Sequence, residues 1–72
     1  MYEMAIAASL PRKLALAIAE RYPTVEVLVY FLNSSTDAWD TLQEQFFGFG
    51  ESRAIALHQT LTTAGYRLKY KP

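Results

Sequence analysis

Seventy-two residues with no cysteine and a single histidine leave no material for a disulfide frame, thiol chemistry or a structural zinc site. With 51% hydrophobic and 14% aromatic residues the chain lies well above disordered composition. One small domain held by packing alone is expected, with a net stability of roughly 4–11 kcal/mol. The net charge of zero argues against the basic footprint of a nucleic-acid binder.

In Tyr2–Ala8 larger residues at 2, 4 and 6 alternate with small or charged ones. That reads as a short strand, with a helix as the alternative because of the alanines. Ser9 and Pro11 then predict a helix start, serine as the cap and proline in the first turn. Leu10, Leu14, Ile18 and Tyr22 follow helical spacing, and Pro23 ends the helix.

The segment Thr24–Leu32 is apolar at nearly every position. As a strand it places Val25, Val27, Val29 and Phe31 on one face and Leu28, Tyr30 and Leu32 on the other, with Glu26 its only charge. Both faces then need cover, where a strand covered on one side alternates apolar with polar.

Asn33–Asp37 reads as a stop followed by a helix cap, through Ser34 with Asp37 or through Ser35 or Thr36. Trp39, Leu42 and Phe46 lie on one face of the helix that follows. Gly48-Phe49-Gly50 breaks that helix. A last helix is predicted from Glu51 to Ala64 with Ala54, Leu57, Leu61 and Ala64 as its stripe, closed by Gly65 in a left-handed conformation. Tyr66–Lys71 alternates strictly, tyrosine and leucine against Arg67, Lys69 and Lys71, as a half-buried edge strand would.

The expected fold is therefore α+β: a single domain over 1–72 in the order β-α-β-α-α-β, with one layer of helices on a three-stranded mixed sheet. Three helices cover one face of so small a sheet and leave the other open. Leu28, Tyr30 and Leu32 are expected on the open face. Of Phe47 and Phe49 in the helix–helix turn, one is expected near the surface, which makes the turn a second contact patch.

Charge is sorted along the chain. Met1–Pro23 carries +1 (Arg12, Lys13 and Arg21 against Glu3 and Glu20), Thr24–Glu51 carries −5 with no Lys or Arg, and Ser52–Pro72 carries +4. Either the acidic helix pairs internally with the basic strand, or two oppositely charged surfaces steer a partner or a second copy.

These features predict a non-enzymatic protein–protein association module, a homo-oligomer or a small adaptor, whose interface uses Leu28, Tyr30, Leu32, Phe47 and Phe49. One alternative is a nucleic-acid binder using the basic C-terminal strand, although period two separates its tyrosines from its cations. Another is a small enzyme using His58 with a carboxylate from Asp37 or Asp40, which no motif fixes. Asp37, Asp40 and Glu44 at i, i+3 and i+7 read as a solvated acidic face before a cation site, and Ser34–Thr36 as caps before a phosphate site. No cofactor, metal, membrane or small-molecule substrate is expected. Met1–Met4 lacks the basic flank of a signal peptide and no run reaches the length of a membrane span, so the cytoplasm is the expected compartment.

Overall fold

The computed structural model describes every residue from Met1 to Pro72, and it contains helices and no strand. The five helices are α1 (Tyr2–Ala7), α2 (Arg12–Arg21), α3 (Val25–Leu32), α4 (Ala38–Gln45) and α5 (Glu51–Thr63). The expected α+β class, with its three-stranded mixed sheet, is therefore overturned: the fold is all-α. Helix α1 packs on α2 and on α5, and α4 joins α5 to α3. The chain measures 27 × 24 × 21 Å along its principal axes.

The largest correction falls on Thr24–Leu32. Thr24 is extended, and its Oγ1 accepts the Val27 N–H at 3.2 Å, a side-chain cap on the first turn of α3. Leu28 and Leu32 are then wholly buried, while Val25 and Val29 pack partly buried beside them. These four sit at i, i+3, i+4 and i+7, the inward stripe of a helix. A run that is apolar in every register satisfies the helix stripe and both strand faces equally. The backbone decides between them. A helix bonds its own N–H and C=O groups, whereas a strand must borrow partners, and the other two expected strands fail to supply them.

Tyr2–Ala8 forms α1, where Ala5 is fully buried and lets the helix approach its neighbours closely. Ser9 is not the cap of α2. It adopts φ 65° just after α1, with Ser9 N–H bonded to Ile6 O (2.9 Å) and Leu10 N–H to Ala5 O (3.1 Å). This pair of bonds closes a helix C-terminus around one left-handed residue. Pro11 then stands just before α2 rather than inside it. The stripe Leu10, Leu14, Ile18 and Tyr22 is buried as its spacing predicts.

The end of α5 repeats this closure with the expected residue. Gly65 has φ 99°, its N–H bonds Thr62 O at 3.0 Å, and Tyr66 N–H bonds Leu61 O at 3.1 Å. Ala54, Leu57 and Leu61 are buried, although Ala64 is exposed. Beyond Tyr66 the predicted edge strand does not form. The segment bends at Lys69–Tyr70 and makes no backbone–backbone hydrogen bond after Tyr66. Two side chains hold it against the helices. Asn33 donates from Nδ2 to Arg67 O (3.0 Å) and accepts the Lys69 N–H at Oδ1 (2.8 Å). The Trp39 indole N–H donates to Tyr70 O at 3.1 Å. The alternation survives as burial, with Tyr66, Leu68 and Tyr70 half-buried and Arg67, Lys69 and Lys71 exposed.

The core is wholly apolar: all sixteen buried residues are hydrophobic, Trp39 and Phe49 being the largest. No helix is long and apolar enough to cross a membrane.

Candidate association surface

Helical geometry divides the expected contact residues. In α3, Leu28 and Tyr30 lie about 200° apart, whereas a strand would place them on one face. Leu28 and Leu32 accordingly have no exposed surface, while Tyr30 keeps 80% of its own. The open sheet face that was to gather the three residues does not exist. Val27, one helical step from Tyr30, is nearly half exposed, an apolar contact residue that the strand register did not single out.

The turn after α4 resolves Phe47 against Phe49. Phe49 N–H bonds Phe46 O at 3.1 Å, and Gly48, at the third position of this four-residue turn, has φ 84°. A left-handed third position suits glycine, and the reversal it makes carries Phe49 into the core. Phe49 is buried and Phe47 is fully exposed at the tip. Arg53 fastens the turn, donating from its guanidinium to Gly48 O at 2.6 Å.

Tyr30 and Phe47 border one aromatic cluster. Their chain neighbours Phe31 and Phe46 both face Tyr22, with ring centroids 5.4 Å and 6.5 Å away. The Arg21 guanidinium lies 5.7 Å from the centre of the Tyr22 ring, and the Tyr22 hydroxyl donates to Gln45 Oε1 at 3.3 Å. Burial raises the Tyr22 pKa, and the Arg21 charge offsets part of that rise. The cluster thus anchors the chain positions adjacent to the two exposed rings.

The alternative sites are placed as follows. His58 packs its ring 5.8 Å from that of Trp39 and hydrogen-bonds neither Asp37 nor Asp40. Burial lowers its pKa, and the nearby Lys71 charge lowers it further. It lines a shallow hollow with Ile55, Gln59, Thr62 and Lys71. Asp37, Asp40 and Glu44 are all exposed, and no three His, Asp or Glu side chains are grouped to hold a metal. Ser35 Oγ accepts the Asp37 N–H at 3.0 Å, and the Ser34 hydroxyl donates to Phe31 O at 2.6 Å, so both serines are used within the chain. The Tyr66 hydroxyl donates to Glu26 at 3.2 Å. Partial burial raises its pKa, helped by that bond and the Glu26 charge.

The internal pairing of acidic helix with basic tail does not form. No Lys or Arg side chain donates to a carboxylate anywhere in the chain. The fourteen charged side chains, seven of each sign, are all exposed, with Glu26 accepting the Tyr66 hydroxyl and Arg21 lying over the Tyr22 ring. Comparison with protein-family models, with curated proteins and with solved structures gives no match.

Proposed function

We propose that this chain is a non-catalytic self-association module, and that Phe47 and Tyr30 are the side chains that meet the second copy. The observation that carries this reading is the full exposure of Phe47 at a turn whose other aromatic, Phe49, is buried. The same turn has thus separated one ring for the core and one for the outside. Tyr30 is the second large ring left open, next in the chain to Phe31 of the aromatic cluster. A few large aromatic side chains at the centre of a contact supply most of its affinity. The cysteine-free composition suits a reducing compartment, and the cytoplasm is its proposed location.

Sedimentation velocity across a dilution series tests this. The parent should gain mass with concentration, and Phe47→Ser should weaken its association by about 30-fold, the scale of an interface hot spot. Tyr30→Ser should act in the same direction. Circular dichroism should show both variants as helical as the parent. A parent that remains a single chain at every concentration, or a Phe47→Ser variant that associates like it, contradicts the reading.

A further inference from the structure

Two exposed surfaces of this chain carry opposite charge and are not paired with each other within the molecule. The first runs along α4. Asp37, Asp40 and Glu44 share a face at i, i+3 and i+7, all exposed, and the chain continues from there to the exposed Phe47. Asp40 and Glu44 are like charges one turn apart, and Glu44 stands in the last turn, where the helix end is itself negative. Arg53, the cation at this tip, is held on the Gly48 carbonyl.

The second surface is the start of α2. Arg12 and Lys13 occupy its first turn, where the helix end is positive, with no acidic residue among them. Leu16, one turn further on the same face, is nearly half exposed. Glu20 and Arg21 close the other end of that helix with opposite charges. Each surface is electrostatically unfavourable in the isolated chain, and each would be relieved by the other. Within the molecule they stay apart. Helix α2 packs on α1, and α4 packs on α3 and α5. Ten residues of α2 also set Arg12 about 14 Å from the Tyr22 end and its aromatic cluster.

We infer that the chain associates head to tail, the acidic α4 face and Phe47 of one copy docking on Arg12, Lys13 and Leu16 of the next. This rests on the self-association proposed above and specifies its counter-surface. Two different patches in contact make a heterologous interface, which leaves a free patch at each end and so extends to a chain or closes to a ring. Opposite charges across it steer the approach and make it sensitive to salt.

Mixing complementary variants tests the inference. Phe47→Ser keeps only the basic surface, and the double variant Arg12→Glu/Lys13→Glu keeps only the acidic one. Each alone should sediment as a single chain, with association at least about tenfold weaker than the parent's. Their equimolar mixture should give a discrete dimer, because each contributes one intact surface. The parent should grow beyond two chains as concentration rises, and added salt should shrink it. A charge reversal supplies a second readout: Asp40→Lys/Glu44→Lys, mixed with Arg12→Glu/Lys13→Glu, makes both contacts complementary and should restore growth beyond two chains, which neither variant shows alone. All substituted positions are exposed, and unchanged helical circular dichroism confirms that the variants fold.

If Arg12→Glu/Lys13→Glu associates like the parent, or if the mixture stays monomeric although each substitution disrupts the parent, the contact is symmetric or lies elsewhere. The head-to-tail inference then falls, and self-association through Phe47 stands. A parent that never associates removes both.

Discussion

Replacing Leu28 and Tyr30 by alanine in turn separates the helical account of α3 from a strand account most sharply. The two residues would share a face in a strand, and they diverge by about 200° in a helix. Leu28 is wholly buried between α3 and its neighbours. Removing a buried leucine side chain costs about 2–5 kcal/mol, from lost transfer energy and the cavity left behind. A chain of this size has roughly 4–11 kcal/mol in all. Leu28→Ala should therefore lower the thermal midpoint by about 10 °C or more, at some 4–8 °C per kcal/mol for a domain this small. Tyr30 keeps 80% of its surface in solvent, so Tyr30→Ala should stay within about 0.5 kcal/mol of the parent. Urea unfolding followed by helical circular dichroism gives both values from midpoint shifts at constant slope. The protein should be dilute, so that association does not add to stability. If Tyr30→Ala costs as much as Leu28→Ala, or if neither costs anything measurable, the register assigned to α3 is wrong.

Other expectations concern the helix ends, the tail and the histidine. Ser9 holds φ 65° without being glycine, so Ser9→Gly should stabilise the chain by up to about 1 kcal/mol in the same urea assay, and a loss of stability would contradict its role at the end of α1. Asn33→Ala removes both bonds to the C-terminal segment and should cost about 1–2 kcal/mol. Amide exchange at Lys69 should accelerate more than at Leu57 inside α5, and an unchanged Lys69 rate would refute the clamp. His58 has a pKa lowered by burial and by Lys71, so the unfolded chain takes up its proton first as the solution is acidified. Its contribution to stability is present above the ordinary histidine pKa of about 6.5 and is lost as pH falls through the folded value. His58→Gln should flatten the stability profile over that window, and a profile that keeps its slope would assign the effect to other groups.

The stripes of α2 and α5 were legible in the sequence because Leu10, Leu14, Ile18 and Tyr22 in the one, and Ala54, Leu57 and Leu61 in the other, recur at steps of three or four. Gly65 was legible too, since a left-handed residue after a helix favours glycine strongly. Thr24–Leu32 was not legible. Its side chains are apolar in both periods, and only the tertiary partners of the backbone distinguish the two. The helical register divides the expected contact set: Leu28 and Leu32 lie inside, while Tyr30 stays outside. The available sign was Thr24 itself, a capping residue directly after Pro23. The strict alternation of Tyr66–Lys71 reported burial correctly, because an extended segment lying on helices also turns every second side chain down. It did not report pairing, which depends on a neighbouring strand. The role of Asn33 had no signal at all, since one amide replacing a ladder depends on residues 34 and 36 positions later in the chain.

The most direct test of the account is the mass of the parent chain and of Phe47→Ser, measured by sedimentation from dilute to concentrated solution at low salt. The account predicts that the parent grows with concentration while the variant stays at the mass of one chain over most of that range. Identical curves for the two proteins would contradict it.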